Sequence, residues 1–310
     1  MSEPVLEVEH VDAGFGVSQI LFDVNLSVAE GEIAGLLGLN GAGKSVTMKV
    51  IAGLVPARTG AVRLNGRDIT TLSPEQRVGL GLGHVPQGRQ VFPELTVEEN
   101  LRLGAYTLRR RDKSRYAPSL AGTWERFPKL HERRRQAAGT MSGGEQAALA
   151  VARALINEPS VVLVDEPSAG LAPLVVRDVF NTLKEVATTG VTMLLVEQNV
   201  AAALHLVDTV TLLQTGAVAW HGPVGELDRS MLATRLGIGR MLGPTVAPKK
   251  KRAAAKKTAA KKTPAKKAAP KKAPAKKTAA PKKTSATGRT PNRKPAPGAP
   301  SSVKKVGKKT

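Results

Sequence analysis

The sequence predicts an α/β fold: a parallel sheet flanked by helices, with an antiparallel β-subdomain ahead of it and a helical subdomain inserted into it. Three observations carry this reading. The amino-terminal stretch alternates apolar and polar residues ("VLEVEHVDAGF", "LFDVNLSVAEGE"). "VVLVD" and "TMLLVE" are short, unbroken apolar runs. Between them Val176, Val179, Phe180, Leu183 and Val186 recur at helical spacing. Alternation is the pattern of half-buried antiparallel strands. Unbroken runs suit parallel strands covered on both faces, and strand–helix–strand is the crossover that joins them.

The other elements follow in chain order. "EIAGLLG" is a short buried strand ending in glycine. After Lys44 the pattern turns helical, with Val46, Val50, Ile51 and Leu54 on one face and Gly53 with Pro56 as its stop. From roughly Gly88 to Asn157 the chain is rich in Arg and Glu, with helical patches at "VEENLRLGAYTLRRR" and "AALAVARALI". This is the expected inserted subdomain. Beyond Gly190 and "TMLLVE", the segment "TVTLLQTGAVAW" reads as a closing hairpin that turns at Thr215–Gly216.

Charge divides the chain at about Pro248. Residues 248–310 hold 23 of the 47 Lys and Arg and no acidic residue, leaving 24 basic against 25 acidic residues in 1–247. The body is near neutral, and its net charge does not point to nucleic acid. The tail, "KKTAAKKTPAKKAAPKKAPAKKTAAPKK", repeats lysine pairs almost every five residues. Five residues turn a helix by about 500°, so the pairs form no stripe. Proline recurs too often for a long helix, and nothing large and apolar is present to bury, so the tail is expected to be disordered. The chain has no cysteine, which fits a reducing compartment. Its start lacks a signal-peptide pattern. The apolar runs stop far short of the ~20 residues a membrane span needs. Any membrane role therefore requires a pore supplied by a partner.

"GLNGAGKSVT" follows a strand and opens a helix, fitting G-x-x-x-x-G-K-[ST] with Gly38, Gly43, Lys44 and Ser45. Such a loop, here Gly38 to Val46 with Asn40, Gly41 and Ala42 inside it, turns backbone N–H groups onto phosphate oxygens. A Cβ at the glycines would crowd them, and the helix start adds partial positive charge. Lys44 reaches the β- and γ-phosphates and the Ser45 hydroxyl ligates Mg²⁺. Asp165 ends a buried apolar strand, a costly place for a carboxylate unless a cation meets it. Glu166 comes next, placed to orient and deprotonate a water. A lone "DE" after a strand is ordinarily a solvated loop; paired with the phosphate loop it reads as the metal side of a nucleotide site.

With "GLNGAGKS", "VPQG", "MSGGEQ", "VVLVDEPSAGL" and "LLVEQN" in this order, the chain resembles the nucleotide-binding subunit of an ABC transporter over about residues 4 to 242. The resemblance implies an ABC ATPase core within 1–247, with ATP and Mg²⁺ as cofactors. It also implies head-to-tail pairing of two such subunits, self or paralogue, each closing its "SGGEQ" loop on the other's γ-phosphate. Ser142, Gly143 and Gly144 would then serve the partner's ATP, with Gln146 nearby. The bland alternative for that loop is a helix cap. Gln87 matches the glutamine that touches metal and water. Phe15 matches the aromatic that stacks on adenine, core packing being its alternative. Gln198 stands where most relatives carry histidine; it is expected to orient the attacking water, with Glu166 as the base. Glu197, beside it, is expected to be solvated. In "PSAGLAP" Ala172 stands near the place of a dimer-contact aspartate. The five histidines show no metal-ligand spacing.

"GRQVFPELTVEENL", "GTMSGGEQ", "PSAGLAP" and "LLVEQN" together resemble the shorter ATP-binding subunit of branched-chain amino-acid importers, whose cousins import other amino acids or amides. The implied partners are integral membrane permease subunits, docked on the helical subdomain, and indirectly a solute-binding protein. The implied place is the cytoplasm, on the inner face of the plasma membrane. The tail resembles those of linker histones. It leaves open anionic lipid, nucleic acid or a non-specific polycation, and with them the alternative of a soluble ATPase acting on nucleic acid.

Overall fold

The computed structural model describes residues 4–88 and 90–227; the expected disordered tail, 248–310, and the end of the expected domain, 228–247, lie outside the described residues. Along the chain run β1 (Pro4–Phe15), β2 (Ser18–Ala29), β3 (Ile33–Leu37), α1 (Lys44–Ile51), β4 (Ala57–Leu64), β5 (Arg67–Asp68), α2 (Pro74–Gly79) and β6 (Leu82–Val85). Then come α3 (Val97–Gly104), α4 (Tyr106–Arg111), α5 (Tyr116–Arg126), α6 (Pro128–Glu132) and α7 (Gly143–Leu155). The chain continues through β7 (Val161–Asp165), α8 (Pro173–Ala187), β8 (Thr192–Glu197), α9 (Val200–Leu204), β9 (Thr209–Gln214) and β10 (Ala217–Pro223).

Two sheets form, ordered β2-β1-β4-β5 and β10-β9-β3-β8-β7-β6. The first is antiparallel, as the alternation requires; Val8 faces Leu26 and Val11 faces Val24. In the second, β6, β7, β8, β3 and β9 run parallel, and β10 returns antiparallel at the edge. Every residue of β3, β7 and β8 is buried. Their side chains alternate between two cores. Leu36, Val161, Leu163, Leu194 and Val196 pack with α1 and the β-subdomain. Leu37, Val162, Val164, Met193 and Leu195 pack with α7, α8 and the inserted helices. A Leu→Ala change inside such a core costs about 2–5 kcal/mol.

Two sequence expectations need correction. Leu54 does not share the α1 face: the buried face is Thr47, Met48, Val50 and Ile51, and Leu54 is 56% exposed. Gly53, with φ +78°, turns the chain so that the Leu54 and Val55 amides both donate to Lys49 O. The patch "VEENLRLGAYTLRRR" is two helices, broken at Ala105. A Cβ on Gly104 would lie 2.5 Å from the Arg153 carbonyl oxygen, so α3 ends pressed on α7. Asn157 bridges the break, its side chain donating to Gly104 O and accepting from Leu108 N.

The closing hairpin turns where expected. Thr215 and Gly216 both have positive φ, +49° and +82°, as a tight two-residue hairpin demands. A Cβ on Gly216 would sit 1.8 Å from Ile20 O. The bare backbone lets Gly216 O accept from Phe22 N at 2.8 Å and Gly216 N donate to Ala42 O at 2.9 Å. The hairpin tip thus ties β2 to the loop before α1.

Candidate active site

The loop Gly38–Ser45 joins the carboxyl end of β3 to α1. Its glycines are there for two different reasons. A Cβ on Gly38 would meet Leu213 O at 2.4 Å, so packing forbids it. Gly41 and Gly43 have φ of +79° and +105°, a conformation L side chains rarely adopt. Gly43 caps α1 with no side-chain acceptor, so the first N–H groups of the helix face outward for an anion. Lys44 is 4% exposed. Its ammonium donates to Gly38 O at 2.9 Å and Leu39 O at 3.0 Å. Burial pushes its pKa down, while the charges of Glu166, Asp165 and Glu197 oppose that shift.

The parallel sheet brings three loop ends to the same edge, after β6, β7 and β8. Asp165 is 7% exposed, and its buried Oδ1 has no hydrogen-bond partner. Burial, then the neighbouring Glu166 charge, push its pKa up to about 6. The charges of Lys49 and Lys44 oppose that shift, and a carboxylate so placed fits a cation. Glu166, 4% exposed, has φ +43°, a strained conformation for a side-chain-bearing residue. Its amide donates to Val196 O at 2.9 Å. Both its carboxylate oxygens are held: Gln87 Nε2 donates to Oε2 at 2.8 Å and Gln198 Nε2 to Oε1 at 2.7 Å. The three residues named from sequence as catalytic therefore meet at one carboxylate.

Glu197 corrects the sequence reading. It is not solvated but 1% exposed. Its Oε1 accepts from Ser168 N at 3.0 Å, and its Oε2 from Gln198 N at 2.9 Å and Asn199 N at 3.1 Å. The signal was present in the sequence. A carboxylate that ends a buried apolar run needs partners, and "TMLLVE" has the same form as "VVLVD".

Phe15 ends β1 and is 50% exposed, which removes the core-packing alternative for its ring. Ser142 is the N-cap of α7 in a reciprocal capping box with Glu145. A Cβ on Gly144 would make only ordinary contacts, 3.5 Å to Asp178 Cβ and 3.6 Å to Val175 Cγ1. Packing within the chain does not demand a glycine there. Gln146 turns its amide to Ala138 O at 3.1 Å, across the base of the loop.

Residues 21–169 match the family model described as ABC transporter. The chain is 41% identical over 217 residues to the high-affinity branched-chain amino acid transport ATP-binding protein BraG of Pseudomonas aeruginosa, covering 70% of this chain and 92% of BraG. It is 40% identical over 224 residues to the probable branched-chain amino acid transport ATP-binding protein LivF of Archaeoglobus fulgidus, covering 72% and 94%. The lipopolysaccharide export ATP-binding protein LptB of Escherichia coli matches at 32%, covering 71% and 91%. Among solved structures, an ATP-binding cassette of an ABC transporter in its ADP conformation superposes with a TM-score of 0.64 at 29% identity, covering 72% of this chain and 92% of that one. The phosphate loop, the two strand-end carboxylates and these likenesses agree: the chain belongs to the ABC transporter family, as an ATP-binding, ATP-hydrolysing subunit.

Proposed function

We propose that this subunit powers import of branched-chain amino acids, or a closely related amino acid or amide, through separate membrane subunits. The solute class is supported by BraG and LivF, which match at about 40%, ahead of the exporter LptB at 32%. Among the described residues no helix is long and apolar enough to cross a membrane. On this reading, which rests on the likeness to BraG and LivF, the pore belongs to partner subunits and this subunit sits on their cytoplasmic face. A groove of about 350 Å³ along the start of β6, reaching to α3 and α7 of the helical subdomain, is the docking surface on this reading. It is lined by Val78, His84, Phe92, Leu103, Arg153 and Asn157 among others.

The observation that carries the chemistry is the Glu166 carboxylate fixed between Gln87 and Gln198, beside the orphaned oxygen of Asp165. Glu166 takes a proton from the attacking water, and Gln198 orients that water. Lys44 and the α1 amides hold the phosphates. The unpartnered Asp165 oxygen and the Ser45 hydroxyl suit Mg²⁺, which keeps most of its waters and binds few protein ligands. Bound there with nucleotide, it would neutralise developing phosphate charge. Phe15 stacks on adenine. Ser142, Gly143 and Gly144 of a second subunit complete the site over ATP, with Gln146 holding the loop. That demand from outside the chain accounts for a glycine at 144 that packing within the chain does not need.

Glu166→Gln tests the reading. It should bind ATP and hydrolyse at least a hundredfold slower; turnover near wild type would remove Glu166 as base. No observation favours the alternative of a soluble ATPase acting on nucleic acid. Deleting residues 248–310 separates the two: membrane association in the presence of the permease should survive it.

A further inference from the structure

We propose that Glu197 is a positioning residue of the hydrolytic site: it locks the turn after β7 to the turn after β8, and so sets Gln198 against Glu166. The proposal rests on the reading of Glu166 and Gln198 given above.

Glu197 occupies the last position of β8, in register with Leu37 of β3. At 1% exposure it is a carboxylate within the protein, and three backbone donors surround it. Ser168 N belongs to the segment that follows Glu166; Gln198 N and Asn199 N begin the segment that carries the glutamine. One side chain therefore joins two loops otherwise held by the Glu166 N to Val196 O bond and the Gln198 Nε2 to Glu166 Oε1 bond. The geometry closes a ring: Glu197 fixes the Gln198 backbone, the Gln198 side chain holds Glu166, and the Glu166 turn returns through Ser168 to Glu197. Charge-assisted bonds to backbone amides are strong and directional, so the ring fixes where Glu166 points without touching nucleotide.

Glutamine at 197 keeps the size and shape but loses acceptor capacity. Its amide nitrogen must face either Ser168 N or the Gln198 and Asn199 amides, donor against donor. The backbone beside Gln198 then shifts, while the phosphate loop after β3 does not.

The experiment is a double-mutant cycle on the full chain, read as steady-state ATP hydrolysis together with ATP affinity by fluorescent-nucleotide displacement. Glu197→Gln should lower kcat about tenfold, the loss of one such bond in the transition state, with ATP affinity within threefold of wild type. Added to Gln198→Ala, it should lower kcat by less than a further threefold, because one mutation already breaks the ring. Full, multiplicative losses would overturn the proposal, as would loss of ATP affinity in step with kcat. Amide hydrogen exchange gives a readout independent of turnover. In Glu197→Gln, peptides holding Ser168, Gln198 and Asn199 should exchange at least tenfold faster, with α1 unchanged. Unaltered protection of those peptides, or equal loosening of α1, would also overturn it. Failure of the cycle leaves the Glu166→Gln result standing; a fully active Glu166→Gln would instead remove the base itself.

Discussion

Gln198 donates to the Glu166 carboxylate, and the structure gives that contact a size. Replacing it with alanine removes the 2.7 Å bond to Glu166 Oε1. Hydrogen bonds to a charged group contribute about 1.5–3 kcal/mol. Gln198 is itself exposed, so water can take part of its place, and the lower end applies. About 1.5 kcal/mol is roughly tenfold in rate. Gln87 still holds Oε2, which limits the drift of the carboxylate. The expected result is therefore a kcat about tenfold below wild type, with ATP affinity unchanged because the phosphate loop is untouched. Steady-state phosphate release and nucleotide titration measure the two quantities. Wild-type kcat in Gln198→Ala, or a loss confined to ATP affinity, would refute the assignment of Gln198 to the water-activating carboxylate.

Asp165 gives a pH prediction. Its folded-state pKa is raised to about 6, so between about pH 4 and 6 the folded chain binds more protons than the unfolded one. Stability of the nucleotide-free protein then falls as pH rises through that window. Asp165→Asn should raise Tm at pH 7.5 and have little effect at pH 4.5, while abolishing hydrolysis; a lower Tm at pH 7.5 would contradict the view that the carboxylate is uncompensated. Gly43→Ala forces a Cβ into φ +105° and to within 2.7 Å of Leu21 Cδ2. It should cost about 1–2 kcal/mol of stability by urea titration and weaken ATP binding at least tenfold by nucleotide titration. Ser142→Arg should leave ATP binding by the monomer near normal and block turnover; unchanged hydrolysis would refute a role for that loop in the neighbour's site.

Much of the site was legible because its chemistry imposes local patterns. The glycines at 41 and 43 hold positive φ, and that need shows in the spacing of "GLNGAGKS". Asp165 stands out because a carboxylate closes an apolar strand. Sheet direction was equally readable, since unbroken runs need cover on both faces. What stayed hidden depends on contacts between distant segments. Gln87 donates to Glu166 across 79 positions of sequence, a contact that no local pattern announces. The burial of Glu197 is legible, since it ends an apolar run as Asp165 does, but its bond from Ser168 N, 29 positions away, is not. Leu54 fits a helical face by spacing alone, yet it follows Gly53, the stop the sequence itself marks, and so lies outside α1. The break at Ala105 arises from α7 pressing on Gly104, a contact no local window contains.

The central claim is a site shared between two copies of the cassette, and the size of the ATP-loaded particle tests it most directly. Glu166→Gln with Mg²⁺ and ATP, alone or mixed with its paired ATP-binding subunit, should scatter light as a dimer, and adding Ser142→Arg should return it to monomer. A particle that stays monomeric at high concentration under both conditions, or a dimer indifferent to Ser142→Arg, would contradict the account.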